Sequence, residues 1–352
     1  MEEFASCFRQ IKGLNDQRSD PALNPITVAL IDDGTDITHP ELNGKRFPGK
    51  SFHDYSDGSS WRVSPYWDSA SGHGTLMARL IHRICPSAII YVIKLQTYMP
   101  AGSNKLQINP ESAIQAIEHA IEQGVQIISM SWTMRPPENN PLRNAFDNAI
   151  HRAKSIILFC SASDQGKFQD FTYPHASNPN GSFRIGAAKT TGSMADFVGD
   201  AHELNFILPG HNVVVKDGAY IDVTDKDFES FASHTGSSVA TALAAGLAAL
   251  IMECVRLGVF YTEEMKLYEP SLAIRKDDLI TIRDRSAMEY ALSSIGVNRQ
   301  TDNKYIEVWD TFRGVAQRLR ENEGVRLNQL EIIAGLARMF LRKGVKTMGS
   351  GY

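Results

Sequence analysis

The sequence of 352 residues lacks several features that mark secreted, metal-binding or nucleic-acid-binding proteins. Cysteine is scarce: the four residues Cys7, Cys85, Cys160 and Cys254 lie far apart and form no CxxC pair. This spacing favours reduced thiols over a disulfide framework or a zinc site. The formal net charge is only -4, and no basic patch dominates. Nucleic acid is therefore not expected as a partner.

The N-terminus and the apolar stretches argue against export and against a membrane span. Residues 1–8 contain neither a basic n-region nor an apolar h-region, so a cytoplasmic location is the default expectation. The apolar run within residues 234–250 is interrupted by Thr241. It is also shorter than the roughly 20 residues that a bilayer requires, so no membrane partner is expected. Repeats and low-complexity segments are absent from the sequence.

Hydrophobic patterning predicts strands that alternate with helices. The 43% hydrophobic content is enough to bury one large core. The predicted strands are residues 26–31, 88–95, 125–131 and 155–159, and the predicted helices are residues 76–84, 109–123 and 141–154. Short connections between such elements are typical of a parallel sheet with helices on both faces. We therefore expect an α/β fold with three α/β/α layers around a mostly parallel central sheet.

Residues 234–250 predict a turn that opens into a helix of unusually small side chains. Alanine and glycine leave no room for a polar face, so this helix must be buried on all sides. Ser238 falls in its first turn, where free N–H groups and the helix dipole stabilise developing negative charge. Ser238 is therefore a candidate nucleophile. The alternative is an N-cap serine, which this stretch alone slightly favours.

Two further polar residues occupy positions that suit a catalytic site. Asp32 follows the buried strand predicted for residues 26–31, and ligands of α/β sheets bind at the carboxyl ends of the strands. His73 lies between two glycines at a predicted helix start, where its ring can face a cleft. Taken singly, each residue has an ordinary alternative, which is a loop aspartate for Asp32 and a surface capping histidine for His73.

Three segments around these residues resemble the active-site motifs of the subtilisin-like serine proteases, in the order found in that family. They are residues 28–42 around Asp32, the Gly-His-Gly-Thr segment at 72–75, and residues 236–246 around Ser238. The resemblance extends from about residue 25 to residue 258. It continues more faintly through a predicted helix at 282–295 and a short predicted strand at 305–309.

The resemblance implies an Asp-His-Ser triad and a polypeptide substrate. Ser238 would attack the scissile carbonyl, His73 would move the proton, and Asp32 would orient the imidazole. Asp33, next to Asp32, is expected to be a spectator. Ser131, Trp132 and Thr133 match the substrate-flanking strand of the family, and residues 98–102 match a second one.

One departure from the family pattern bears on the chemistry. Asp164 falls where most members of the family carry an asparagine that donates a hydrogen bond to the oxyanion. An ionised carboxylate cannot donate, and loss of this donor, as measured in this family, costs about 10²–10³ in rate. A protonated Asp164 or the neighbouring Gln165 would restore a donor. These considerations predict a slow but real protease with a pH optimum below neutral.

The resemblance implies no cofactor, and no metal site is expected either. The segment at 82–86, after the His73 helix, is too short to hold the calcium-binding loop of the family. Glu41 and Asp36 are then expected to be solvated or paired surface carboxylates.

The chain is expected to comprise an N-terminal extension (1–24), a catalytic domain (25–312) and a helical C-terminal tail (313–352). The tail carries an apolar stripe of Leu330, Ile333, Leu336 and Phe340. This stripe predicts either a helix packed on the catalytic domain or a docking surface for a partner or a missing domain.

Two functions are compatible with these observations. The first is a cytoplasmic serine endopeptidase that acts through an acyl-enzyme. The second is a weakly active or inactive module of the same fold with a binding or regulatory role.

Overall fold

The computed structural model describes residues 1–11, 14, 20–56, 58, 60–98, 107–166, 169–216, 231–297 and 304–343. Its strands are β1 (Thr27–Asp32), β2 (Gly49–Ser51), β3 (Asp54–Ser56), β4 (Trp61–Val63), β5 (Ile89–Lys94), β6 (Thr97–Tyr98), β7 (Gln107–Ile108), β8 (Ile127–Met130), β9 (Ile157–Ser161), β10 (Ser182–Ala188), β11 (Phe206–Pro209), β12 (Val213–Lys216) and β13 (Phe231–His234). Its α-helices are α1 (Glu2–Arg9), α2 (His73–Ile84), α3 (Pro110–Glu122), α4 (Asn140–Arg152), α5 (Ser237–Met265), α6 (Lys276–Thr281), α7 (Arg285–Ser294), α8 (Val308–Glu321) and α9 (Arg326–Phe340).

Over the described part of the chain, the central sheet has seven strands in the order β11, β10, β9, β8, β1, β5, β2. Every neighbouring pair in it is parallel, which confirms the mostly parallel sheet predicted from the alternation of strands and helices. The strand order changes direction at β1, because β5 and β2 follow on one side and β8 to β11 on the other. Such a switch point leaves a crevice at the carboxyl ends of the strands.

Successive residues of β1 face opposite helical layers. Val28 and Leu30 belong to the core that contains residues of α2 and α5. Ala29 and Ile31 belong to a second core with residues of α3 and α4. Side chains alternate between the two faces of a strand, so both faces of this sheet are covered by helices. The structure thus has the three α/β/α layers expected from the sequence.

Helix α5 is the central element of the fold, and it is longer than the sequence predicted. It continues to Met265, well beyond residue 250. The sequence predicted an apolar run too short to cross a membrane. That prediction of length was wrong, because the length and mean hydropathy of the whole helix would allow it to cross one. Burial gives the better criterion, because 89% of its most apolar window is buried inside the protein. The helix is sheathed on all sides, as its small side chains indicated.

The N-terminal and C-terminal helices pack on the same body. Helix α1 contacts α8, with the rings of Phe4 and Phe312 4.8 Å apart in an edge-on arrangement. Helix α9 packs on α5, and its stripe of Leu330, Ile333, Leu336 and Phe340 is buried. This packing favours the first of the two interpretations of the stripe. The division of the chain into three parts stays a prediction, and its boundary after residue 312 falls inside α8.

The prediction of a short strand at residues 305–309 is wrong for most of these residues. Tyr305 and Ile306 each form a single bridge, to Ile207 and Val297, and α8 begins at Val308. Tyr305, Ile306, Val308 and Trp309 are aromatic or β-branched, which favours a strand locally. Packing of the following turns of α8 against α1 stabilises a helix instead, and tertiary contacts of this kind override local propensity.

Candidate functional site

The residues predicted for catalysis lie at one edge of the sheet. Asp32 ends β1, Ser131 directly follows β8, and Asp164 lies three residues after β9. Because these strands are parallel and adjacent, their carboxyl ends meet at the same edge. Helices α2 and α5 begin with His73 and Ser237, and they pack against each other.

Asp32 and His73 are joined by a hydrogen bond. The Nδ1 atom of His73 lies 2.8 Å from Oδ1 and 3.0 Å from Oδ2 of Asp32. Asp32 is 5% exposed. Its carboxylate holds the pKa of His73 at about 9, against the opposing effect of burial. Burial in turn raises the pKa of Asp32, and the charge of His73 and its hydrogen bond oppose that rise.

Asp33 does more than the sequence suggested, because it holds the start of helix α2. Its carboxylate accepts hydrogen bonds from the hydroxyls of Ser69 and Ser71 and from the backbone N–H groups of Ser71 and Gly74, at 2.7–2.8 Å. The N-cap of α2 is Gly72, which has no side chain to cap the helix. Burial raises the pKa of Asp33, but these hydrogen bonds outweigh it and the net pKa is lowered. Asp33 is therefore not a spectator in the structure, because it caps α2, the helix that begins at His73, from another segment.

Ser238 occupies the first turn of α5 and is half-buried. The preceding Gly236 is the N-cap, with φ 153° and ψ 154°, a region that is essentially restricted to glycine. A methyl group on Gly236 would lie 3.1 Å from Ser238 Oγ and 3.5 Å from Asp164 Oδ2. The hydroxyl of Ser238 and the carboxylate of Asp164 therefore flank the same glycine.

His73 and Ser238 are not hydrogen-bonded to each other. Among the described residues, the partner of the His73 ring is Asp32. Hydrogen bonds between catalytic groups are often long before substrate binds, and they shorten in the complex. The structure thus joins Asp32 and His73 by a hydrogen bond and places Ser238, the third predicted triad residue, in the first turn of the adjacent helix α5.

Asp164 uses both carboxylate oxygens as acceptors. Oδ2 accepts the backbone N–H of Ser237 at 2.9 Å, and Oδ1 accepts the Ser237 hydroxyl at 2.6 Å. Asp164 is itself exposed by surface area, but partial desolvation by the surrounding atoms raises its pKa, and the two hydrogen bonds oppose the rise. Gln165, the other donor considered from the sequence, is exposed.

The predicted substrate-binding residues continue β8 beyond its carboxyl end. Ser131 is buried with no hydrogen-bond partner for its hydroxyl, and the indole of Trp132 donates to the carbonyl of Ile31 at 2.8 Å. Thr133 is half-buried. Met134 then pairs antiparallel with Tyr173, which brings this segment beside the one that follows Asp164. Of the second predicted segment, Tyr98 is exposed in β6, and residues 99–102 lie outside the described residues.

Sequence reasoning missed Lys94, which supports the segment that leads to His73. Lys94 is 1% exposed at the end of β5, and its ammonium group donates to the carbonyls of Pro65 and Asp68. The signal in the sequence was a lysine inside an apolar strand. A buried lysine must satisfy its donors, so it indicates a nearby turn of backbone carbonyls.

Glu41 is paired, which was one of the two expectations for it. Its carboxylate accepts hydrogen bonds from Arg79 and Arg83 at 2.6–2.9 Å. Burial raises the pKa of Glu41, but the two guanidinium groups outweigh it and hold this pKa at about 2. Asp36 accepts two hydrogen bonds from Thr38. Within the described residues, no group of three or more His, Cys, Asp and Glu side chains is arranged to hold a metal ion.

The cysteine nearest the site is Cys160 in β9. It is fully buried, and burial raises the pKa of its thiol to about 12. A thiol with such a pKa is largely unreactive, which is typical of a buried structural cysteine.

Comparisons with known proteins show which family the chain belongs to. The model of the subtilase family matches residues 24–269. The chain is 30% identical over 263 residues to an intracellular serine protease of Paenibacillus polymyxa, an alignment that covers 70% of this chain and 71% of that protein. It is 27% identical over 240 residues to the major intracellular serine protease of Bacillus subtilis, covering 64% of this chain and 68% of the relative.

A solved structure shows the same fold. The crystal structure of a lanthipeptide protease superposes with a TM-score of 0.56 and 20% identity, covering 82% of this chain and 87% of the other. The three-layer fold, the site at the carboxyl edge of its sheet and the family match lead to one conclusion. The chain belongs to the subtilase family and is a subtilisin-like serine endopeptidase.

Proposed function

We propose that this endopeptidase cleaves polypeptides with Ser238 as nucleophile, His73 as general base and Asp32 as the group that orients His73. The main observation in support is the hydrogen bond between Asp32 and His73 at the start of α2, beside the helix that begins at Ser237. The Asp32 carboxylate fixes the tautomer in which Nδ1 carries the proton, so that Nε2 is free to accept one.

The reaction follows from these assignments. Ser238 Oγ attacks the scissile carbonyl carbon while its proton passes to Nε2 of His73. The imidazolium then protonates the leaving amine as the C–N bond breaks, which leaves an ester on Ser238. A water molecule, deprotonated by the same imidazole, hydrolyses this ester and regenerates the serine. Asp32 stabilises the imidazolium in both halves of the reaction.

Oxyanion stabilisation rests on the N–H of Ser238 in this proposal. This group is one of the first N–H groups of α5, where the helix dipole favours negative charge. Asp164 accepts two hydrogen bonds and donates none in the observed arrangement. We therefore expect slower acylation than in subtilases that carry a second donor. Gln165 remains a candidate for that donor because it is exposed and directly follows Asp164 in the chain.

The substrate is expected to lie along Ser131, Trp132 and Thr133, with its main chain paired to theirs. Similarity to intracellular serine proteases supports action in the cytoplasm. A partner contact through the C-terminal helices stays a prediction. The apolar stripe of α9 is already buried, so the contact would rest on exposed residues such as Trp309 and Val325.

Labelling with a fluorophosphonate tests the nucleophile directly, because this probe reacts with activated serines. The wild-type protein should be labelled, Ser238→Ala should not, and Ser193→Ala, which removes an exposed serine in the loop after β10, should behave as wild type. Wild-type protein that stays unlabelled between pH 5 and pH 10 would instead favour the inactive module. The similarity of the chain to named serine proteases speaks against that alternative.

A further inference from the structure

The N-terminus of α5 is capped by a carboxylate from a distant segment. Ser237 is the first residue of the helix, so its N–H has no acceptor within the helix. Asp164 supplies that acceptor with Oδ2 at 2.9 Å. The Ser237 hydroxyl donates to the other oxygen at 2.6 Å and accepts the N–H of Ala187 in β10 at 3.1 Å. A continuous chain of hydrogen bonds therefore runs from the sheet through Ser237 to Asp164.

Helix α2 is held in the same way. Its N-cap is also a glycine, and Asp33 accepts the N–H of Gly74 from outside the helix. Asp33 and Asp164 each lie just beyond the carboxyl end of a sheet strand. Both helices that carry a proposed catalytic residue thus have a glycine as N-cap residue, and an aspartate that follows a strand of the sheet caps each of them.

From this arrangement we infer that Asp164 is a positioning residue, which through Ser237 fixes the first turn of α5 and hence Ser238. This inference rests on the proposed function, since it assigns Asp164 a role in placing the nucleophile. It differs from the role of an oxyanion donor, because both oxygens of Asp164 are occupied as acceptors. It also accounts for an aspartate at this position: a carboxylate accepts at both oxygens, whereas an amide accepts at one.

The experiment compares wild type with Asp164→Ala, Ser237→Ala and the double variant. Two quantities are measured: the rate constant of fluorophosphonate labelling, and kcat and KM for a short peptide substrate. We expect Asp164→Ala to lower the labelling rate and kcat about ten- to a hundredfold with KM within about twofold, since displacement of a reacting group by about 1 Å can cost about 10² in rate. Ser237→Ala should lose less, because its backbone N–H remains.

The double variant decides between positioning and donation. If Asp164 acts through Ser237, the double variant should be no slower than Asp164→Ala alone. Losses that multiply in the double variant would show that the two residues act independently and would overturn the inference. An Asp164→Ala variant as fast as wild type, or faster, would also overturn it, since the carboxylate would then be dispensable or inhibitory.

Two further variants separate positioning from folding. Asp164→Asn keeps one acceptor for Ser237 and should retain several-fold more activity than Asp164→Ala, and equal losses would count against the inference. Asp284 caps α7 with hydrogen bonds from Ser286 and Ala287, and α7 carries no proposed catalytic residue. Asp284→Ala should lower thermal stability without changing kcat, and a comparable fall in kcat would assign the effect of Asp164→Ala to general loss of a helix cap.

The two hypotheses fail separately in this design. Absence of labelling in the wild-type protein contradicts the proposed nucleophile. Labelling that depends on Ser238 but is unaffected in Asp164→Ala contradicts the positioning role alone.

Discussion

The contact between α2 and α5 leads to a prediction that links stability to catalysis. Gly246 in α5 is buried against α2, and a methyl group at this position would lie 3.0 Å from Ile84 Cβ and 3.1 Å from the carbonyl oxygen of Ile81. Ordinary contacts between such atoms are about 3.5–4.0 Å. Gly246→Ala therefore requires the two helices to separate by several tenths of an ångström.

The magnitude follows from two opposing effects. Alanine in a helix interior is more favourable than glycine by about 1 kcal/mol, whereas overpacking of a core costs about 1–3 kcal/mol. We expect a net loss of about 1 kcal/mol in the free energy of unfolding. Gly335→Ala in α9 is the matched control, because Gly335 is exposed and a methyl group there meets no atom within 4 Å. This variant should gain about 1 kcal/mol.

Denaturant unfolding of both variants gives the stability test. Helix propensity contributes equally to the two changes, so the difference between them isolates the steric cost, which should be about 1–3 kcal/mol. Because α2 begins at His73 and α5 carries Ser238 in its first turn, Gly246→Ala should also lower kcat about three- to tenfold, whereas Gly335→Ala should not. Equal stability of the two variants would refute the close approach of the helices.

Three other outcomes can be predicted from the electrostatics. His73 accepts a proton only when it is neutral, and its pKa is raised to about 9. We therefore expect kcat/KM to rise with pH up to about that value. A pH–rate profile that peaks below pH 7 would contradict this expectation. The stability that His73 gains from Asp32 is complete below its ordinary pKa of 6.5 and is lost as the pH rises through 9, which thermal unfolding as a function of pH can measure. Glu253 and Arg256 are both fully buried and bonded to each other, so Glu253→Ala should destabilise the protein by about 3–5 kcal/mol in denaturant unfolding, because it leaves an unpaired buried guanidinium. Lys189→Ala is the control, because it removes the exposed ion pair between Lys189 and Asp196 and should cost less than about 1 kcal/mol in the free energy of unfolding. Similar losses in Glu253→Ala and Lys189→Ala would contradict the importance of burial.

The pH prediction differs from the one suggested by the sequence. The sequence placed Asp164 at an oxyanion position, and a protonated carboxyl would favour activity below neutral pH. The structure directs both oxygens of Asp164 to Ser237 and raises the pKa of His73, and both observations favour activity at higher pH.

Local sequence was sufficient for the elements with clear periodicity. The β-branched run before Asp32 predicted a buried strand, and β1 is buried from Val28 to Asp32. The helix predicted for residues 109–123 is α3, which runs from Pro110 to Glu122. Strand β10 escaped prediction although it is fully buried. Its small residues Gly186 and Ala187 have low strand propensity, so only its neighbours in the sheet determine its conformation.

The sequence by itself determined the chemical groups of the site and the end of each element at which they lie. Asp32 ends an apolar strand, and His73 and Ser238 begin helices, because those features depend on neighbours along the chain. Tertiary structure alone decided what each group contacts: Asp33 caps α2, Asp164 caps α5, and Lys94 holds the carbonyls of Pro65 and Asp68. A hydrogen bond depends on distance and direction in space, and for residues separated by tens of positions these are set by the packing of strands and helices rather than by the sequence between them.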